Sequence, residues 1–127
     1  MTTILDSGGV SALASDRALI KKLRLSGEWP PIVPADVLAE SLTGDHRRDH
    51  DANHLLGLCL ICPVTEGVAR HAATLRFRAQ RKDISAVDAI VAATADRVGG
   101  GVVWTSDPTD LGALAGHTTN SVKIAAV

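Results

Sequence analysis

The chain has 127 residues, 46% of them hydrophobic and 21% charged, with five histidines, two cysteines and a formal net charge of -1. One domain spanning residues 1–127 is expected, large enough for a real core, and this composition excludes a disordered chain. The near-neutral charge excludes a global attraction for nucleic acid, so a polyanionic partner must be met by a local basic patch or through a bound cation.

No stretch reads as a targeting segment or approaches the roughly 20 apolar residues of a membrane span, so no membrane role and a cytoplasmic location are expected. From the N-terminus, Thr3 to Leu5 reads as a buried strand, followed by Asp6 and the small residues Ser7, Gly8 and Gly9 that turn into a helix. Asp6 is open to two readings, because Asp is also a favoured helix N-cap. Ser15 is expected to cap a helix that ends at Gly27. Ile32 to Val33 is the second strand, and Asp36 starts a helix over residues 37–42. Residues 45–58 read as a helix that runs into a buried third strand, Leu58 to Val64. Cys59 and Cys62 form a C-x-x-C there, but positions three apart on a strand point to opposite faces and no second cysteine pair exists. Core packing is the reading for both.

Thr65 caps a helix that stops near Asp83. Ser85 with Asp88 three residues later resembles a capping box, alanines fill the helix interior, and glycines 99 to 101 end it. Val102 to Thr105 is the fourth strand, Pro108 to Ala115 the last helix, and Val122 to Ala126 the last strand. Strands separated by helices imply parallel pairing with right-handed crossovers. The expected fold is therefore α/β, a three-layer α/β/α sandwich on a mainly parallel five-stranded sheet.

In open parallel sheets the functional crevice lies beyond the carboxyl ends of the strands. Asp6 and Asp107 follow strands one and four, Asp88 opens the helix before strand four, and Glu40 lies one turn into the helix after strand two. Two carboxylates about 5 Å apart repel by about 3 kcal/mol at an effective dielectric near 20, so four together call for a cation. Carboxylate oxygens suit Mg²⁺ or Mn²⁺. Each acid also has a local reading, as a cap for Asp88, a turn residue for Asp107 and a solvated helix residue for Glu40. Two other features draw attention. His46, His50 and His54 recur every four residues, but the outer pair are about 12 Å apart along a helix, which favours a solvated face over zinc. Arg70, Arg76, Arg78, Arg81 and Lys82 form either a charged outer face or a phosphate track. With no Tyr, one Phe and two Trp, a broad base-stacking platform is excluded.

The stretches "ILDSG", "VLAES", "SAVDAIVAATA" and "VVWTSDPTDL" resemble, in order, the four acidic motifs of PIN-domain ribonucleases, and the likeness covers nearly the whole chain. The size and the wording "DAIVAATA" and "TSDPTDL" are similar to VapC-type toxins of bacterial toxin-antitoxin systems. The resemblance implies that Asp6, Glu40, Asp88 and Asp107 bind metal, and that Thr105 is the family's hydroxyl in the last motif and belongs with them in the catalytic set. Asp110 could join the acidic site or cap the final helix, with the cap the favoured reading. The resemblance further implies an Mg²⁺-dependent endoribonuclease, with Mn²⁺ able to substitute, an RNA substrate, a cognate antitoxin and a homodimer. A PIN-like RNA-binding or scaffold module without useful turnover is the alternative. A phosphate-accepting receiver domain is disfavoured, because Thr105 and Asp107 stand where its lysine is expected.

Overall fold

The computed structural model describes all 127 residues. Its strands are β1 (Thr3–Leu5), β2 (Ile32–Pro34), β3 (Leu60–Cys62), β4 (Gly101–Thr105) and β5 (Val122–Ala126). Its helices are α1 (Ser7–Ala14), α2 (Arg17–Leu25), α3 (Val37–Ser41), α4 (His50–Leu56), α5 (Glu66–Ala79), α6 (Ala86–Arg97) and α7 (Pro108–Ala115). All strand pairs are parallel, in the order β3-β2-β1-β4-β5. The three-layer α/β/α sandwich is thus present, with a sheet that is wholly parallel. The core joins Ile4, Leu5, Val33 and Val103 of the sheet to Val10 and Leu13 of α1 on one side and Val91 and the alanines of α6 on the other. No helix is long and apolar enough to cross a membrane.

Short polar side chains correct several expected boundaries. Ser15 does not cap α2; its hydroxyl bonds back to the Ser11 carbonyl at the end of α1, and Asp16 is the cap, accepting the Leu19 N–H at 3.1 Å. Asp36 stands at the N-cap of α3 but makes no side-chain capping bond. The helix expected from residue 45 starts only at His50. Asp45 accepts the Arg47 N–H, and Asp49 turns its buried carboxylate back onto the Thr43 and Gly44 N–H groups and the Thr43 hydroxyl. Such local acceptors offer the backbone an alternative to the helix. The third strand is shorter than expected and is not buried. It is the edge of the sheet, where Leu60 is 56% exposed. Cys59 and Cys62 are both half-buried free thiols, and burial raises that of Cys59 to about 11.

The chain order along the sheet reverses between the parallel strands β1 and β4, with β2 and β3 added outward on one side and β5 on the other. A crevice for ligands opens at such a switch point, beyond the carboxyl ends of the two strands. The register pairs Leu5 with Trp104, and the Asp6 N–H donates to the Trp104 carbonyl at 3.3 Å, so Asp6 leaves the sheet beside Thr105. The first turn of α1 is pressed against the end of β4. A Cβ on Gly9 would lie 2.5 Å from the Trp104 carbonyl oxygen, and one on Gly8 would strike the Ser106 side chain. The glycines are what allow the approach.

Two glycine substitutions should therefore move stability in opposite directions. Gly112 lies inside α7 with nothing near its Cβ position, so Gly112→Ala should stabilise by up to about 1 kcal/mol through helix propensity alone. Gly9→Ala gains the same propensity but overpacks against backbone, which costs about 1–3 kcal/mol, so thermal unfolding should show a lower midpoint for it and a higher one for Gly112→Ala.

Candidate metal centre

The crevice at the switch point is lined with acids. Asp6 is 4% exposed and caps α1, its Oδ1 accepting the Gly9 N–H at 2.8 Å. The cap reading of Asp6 is therefore correct, and the cap occupies one oxygen only. Across the switch, Thr105 is fully buried and its hydroxyl accepts the Asp107 N–H at 2.8 Å. That bond bends the chain out of β4 and sets Asp107 at the start of α7. Thr105 is thus buried behind the turn that its hydroxyl shapes. Pro108 then occupies the first turn of α7, where its missing N–H is no loss.

Asp88 stands in the first turn of α6. The Ser85 hydroxyl accepts the Asp88 N–H at 3.1 Å, but no bond runs from the Ser85 N–H to the Asp88 carboxylate, so the capping box is only half formed. The freed carboxylate meets oxygens of Asp107 and Asp110, and one oxygen from each of the three lies within 4.8 Å of the others. Burial raises the Asp88 carboxyl to about 6, helped by the charges of Asp107, Asp6 and Glu40 and opposed by the Ser85 hydroxyl. Asp88 thus feels the charge of the other three acids expected in the site, although the tightest trio is Asp88, Asp107 and Asp110, without Asp6 and Glu40.

Asp110 corrects the expectation that it caps α7. The cap is Asp107, whose Oδ1 accepts the Asp110 N–H at 3.4 Å, and the Asp110 carboxylate joins the cluster instead. In "SDPTD" both acids can cap or ligate, and only the packing of α6 against α7 decides. The basic run is also divided. Arg81 pairs with Asp83 and Asp110 at 2.9 Å each, Arg70 pairs with Glu66, and Arg76 donates to the Lys82 carbonyl. The histidine stripe does not form, because His46 lies in the turn before α4. His50 and His54 instead line a cleft of about 340 Å³ with Arg17, Arg24 and Asp51. Sequence reasoning also missed Asp36, whose two carboxylate oxygens are buried without a hydrogen-bond partner and whose pKa is raised by that burial and by Glu40.

The donor set is wholly carboxylate, with Asp88 pushed toward its neutral form by neighbours of its own sign. That chemistry fits a hard divalent cation such as Mg²⁺ or Mn²⁺ better than zinc, which favours nitrogen and sulfur. Without metal, Asp88 weakens the fold at neutral pH. Its folded pKa lies above the unfolded value, so the stability it allows is complete below about pH 4 and lost as pH rises through about 6. Asp88→Asn should therefore unfold at a higher temperature than the unmodified metal-free protein above pH 6, and the advantage should vanish in melts near pH 4.

The PIN domain profile matches residues 4–115. No curated protein sequence matches the chain significantly. Among solved structures, DNA-bound VapBC from Salmonella typhimurium is similar with a TM-score of 0.74 at 14% identity, over 99% of this chain and 98% of that one. VapC20 from Mycobacterium tuberculosis, a sarcin-ricin loop cleaving toxin, has a TM-score of 0.62 at 21% identity, over 88% and 95%. FitAcB from Neisseria gonorrhoeae has a TM-score of 0.63 at 23% identity, over 97% and 96%. At these identities the structures speak for the fold, while the profile runs from β1 to the end of α7 and takes in every acid of the cluster. The chain belongs to the PIN domain family.

Proposed function

We propose that the protein is a metal-dependent endoribonuclease toxin of the VapC type that hydrolyses RNA phosphodiester bonds. The observation that carries this reading is the convergence of Asp88, Asp107 and Asp110 oxygens within 4.8 Å at the switch point of the sheet. Asp6 and Glu40 enlarge the acidic environment, which Asp88 registers as a raised pKa. These carboxylates would hold Mg²⁺, with Mn²⁺ able to replace it. When bound, the ion supplies a water of lowered pKa and offsets charge on the phosphoryl oxygens during in-line attack. Thr105 holds the turn that presents Asp107, and the cap on Asp6 keeps that carboxylate fixed at the mouth of the crevice. Water adds to phosphorus and the 3′-oxygen leaves with a proton, giving a 5′-phosphate and a 3′-hydroxyl. No cysteine or histidine nucleophile is needed. Support for RNA as substrate comes from the similarity to a sarcin-ricin loop cleaving toxin.

A cognate antitoxin belongs to the same reading, supported by the likeness to VapBC and FitAB assemblies, and a homodimer is proposed with it. A concentration-dependent dimer in sedimentation is the expected result for the protein alone.

The central test is incubation of the protein, purified free of any partner, with structured RNAs and either Mg²⁺ or EDTA. Cleavage is expected with Mg²⁺ only. Asp6→Asn keeps a side chain able to cap α1, so it should fold normally by circular dichroism. Loss of the charge should nevertheless remove several kcal/mol of transition-state stabilisation, on the order of 100-fold in rate or more, with a similar loss for Asp88→Asn. No cleavage across a broad RNA pool would favour the scaffold alternative, and cleavage unaffected by EDTA would overturn the metal-dependent mechanism.

A further inference from the structure

Arg81 stands apart from the other cations of the basic run. It follows Gln80, whose left-handed backbone (φ 54°) ends α5 and turns the chain toward α7. Its guanidinium forks onto Asp83, with Nε to Oδ1 and Nη2 to Oδ2 both at 2.9 Å, and the same Nη2 reaches Asp110 Oδ1 at 2.9 Å. The Arg81 and Asp110 side chains are 36% and 27% exposed, so this pair is partly withdrawn from water. Arg81 takes one oxygen of Asp110 and leaves Oδ2 without a hydrogen bond.

We propose that Arg81 is a positioning residue of the metal centre: anchored by Asp83, it holds Asp110 beside Asp88 and Asp107. The proposal rests on reading that cluster as a metal centre. Asp110 lies among like charges, which favour any rotamer that swings it outward. A cation fixed on its Oδ1 opposes that swing and leaves the second oxygen for a metal. The planar guanidinium suits the task because it can engage two carboxylates at once, and it does not deprotonate as pH rises. Lysine carries the same charge but only a point-like ammonium on a flexible stem. Engagement with two acids also argues against Arg81 serving as a free phosphate contact.

The alternative is that Arg81 merely competes with the metal. The two roles predict opposite signs, since by Coulomb's law alone removal of a nearby cation tightens binding of another. The test is titration of the protein with Mn²⁺ in the absence of RNA, followed by calorimetry or by the electron paramagnetic resonance of free Mn²⁺. Arg81→Ala should weaken Mn²⁺ binding about tenfold, the usual scale for loss of a group that orients a ligand. Arg81→Lys, with charge unchanged, should also weaken it, by a smaller factor. Neither change should weaken binding further once Asp110 is Asn. Thermal unfolding of each variant checks that the fold is retained. Unchanged or tighter Mn²⁺ binding by Arg81→Ala overturns the proposal. Should the unmodified protein bind Mn²⁺ and lose affinity in Arg81→Ala yet cut no RNA, the nuclease reading falls while the role of Arg81 stands.

Discussion

Mutual repulsion among carboxylates is the constraint around which this molecule is arranged. Asp6, Glu40, Asp88, Asp107 and Asp110 share one end of the sheet, and only Asp110 has an ion-pair partner. Like charge adds to burial in raising the Asp88 carboxyl to about 6, an unfavourable interaction that a fold with a typical total stability of about 5–15 kcal/mol must absorb. Something rigid must hold them there. The rigidity comes from the sheet, where β1 and β4 are locked in register, and from α1 and α6, whose faces carry much of the buried core. Gly8 and Gly9 make the arrangement tighter still, because without them the first turn of α1 could not close on the end of β4.

Acids outside the cluster show what an acid looks like when its job is structural. Asp96 lies on α6, as Asp88 does, and is 2% exposed. Burial alone would raise its pKa, but the Asn120 and Thr119 N–H groups, the Asn120 amide and His71 hold it below the ordinary value. Asp49, at the foot of α4, is satisfied in the same manner by Thr43 and Gly44, and its pKa is also lowered. Asp88 has the opposite signature, with burial and like charges acting in one direction and a single weak donor against them. One helix thus carries a carboxylate that stabilises the fold at its far end and one that strains it at the crevice. Strongly perturbed groups in a cleft mark functional sites more often than structural ones, and here the sign of the shift separates the two kinds.

Much of this was legible in residue order. The strands Thr3–Leu5 and Val122–Ala126 and the helix Pro108–Ala115 stand where apolar runs and capping residues place them. The four expected acids all reach the crevice because their positions depend on topology, which alternating strands and helices reveal. What was not legible depends on contacts between distant segments. Asp110 joins the trio because α6 packs on α7, and Arg81 leaves the basic run because it meets Asp110, which is 29 residues away. The loss of the His46 position from α4 has a local cause, but it turns on the choice of Asp49 to bond backward to Thr43 rather than to cap forward. The exposure of β3 was hidden for another reason: an apolar run looks alike at the centre and at the edge of a sheet, and only strand order tells them apart.

Under the proposed nuclease reading, the same geometry would let a chain with a net charge of -1 accept a polyanionic substrate. A phosphate approaching the bare cluster meets only like charge, so the cation that relieves the protein's own repulsion must also turn the site attractive. Binding of metal and binding of substrate are then coupled by a single electrostatic term. The cations that remain for the rest of a nucleic acid are those without acidic partners. Arg70 and Arg81 are engaged by Glu66, Asp83 and Asp110, whereas Arg47, Arg48, Arg78 and Lys82 form no ion pair. Arg48 lines a crevice beside Glu40, Ser7 and Ser41, on the α1, α3 and α4 side of the site. Arg78 lies in the last turn of α5, and Lys82 follows Arg81 in the chain. On that reading a strand of phosphates passing over the acids would meet Arg48 on one flank rather than one continuous track, and would be held most firmly by a cation bound among the carboxylates.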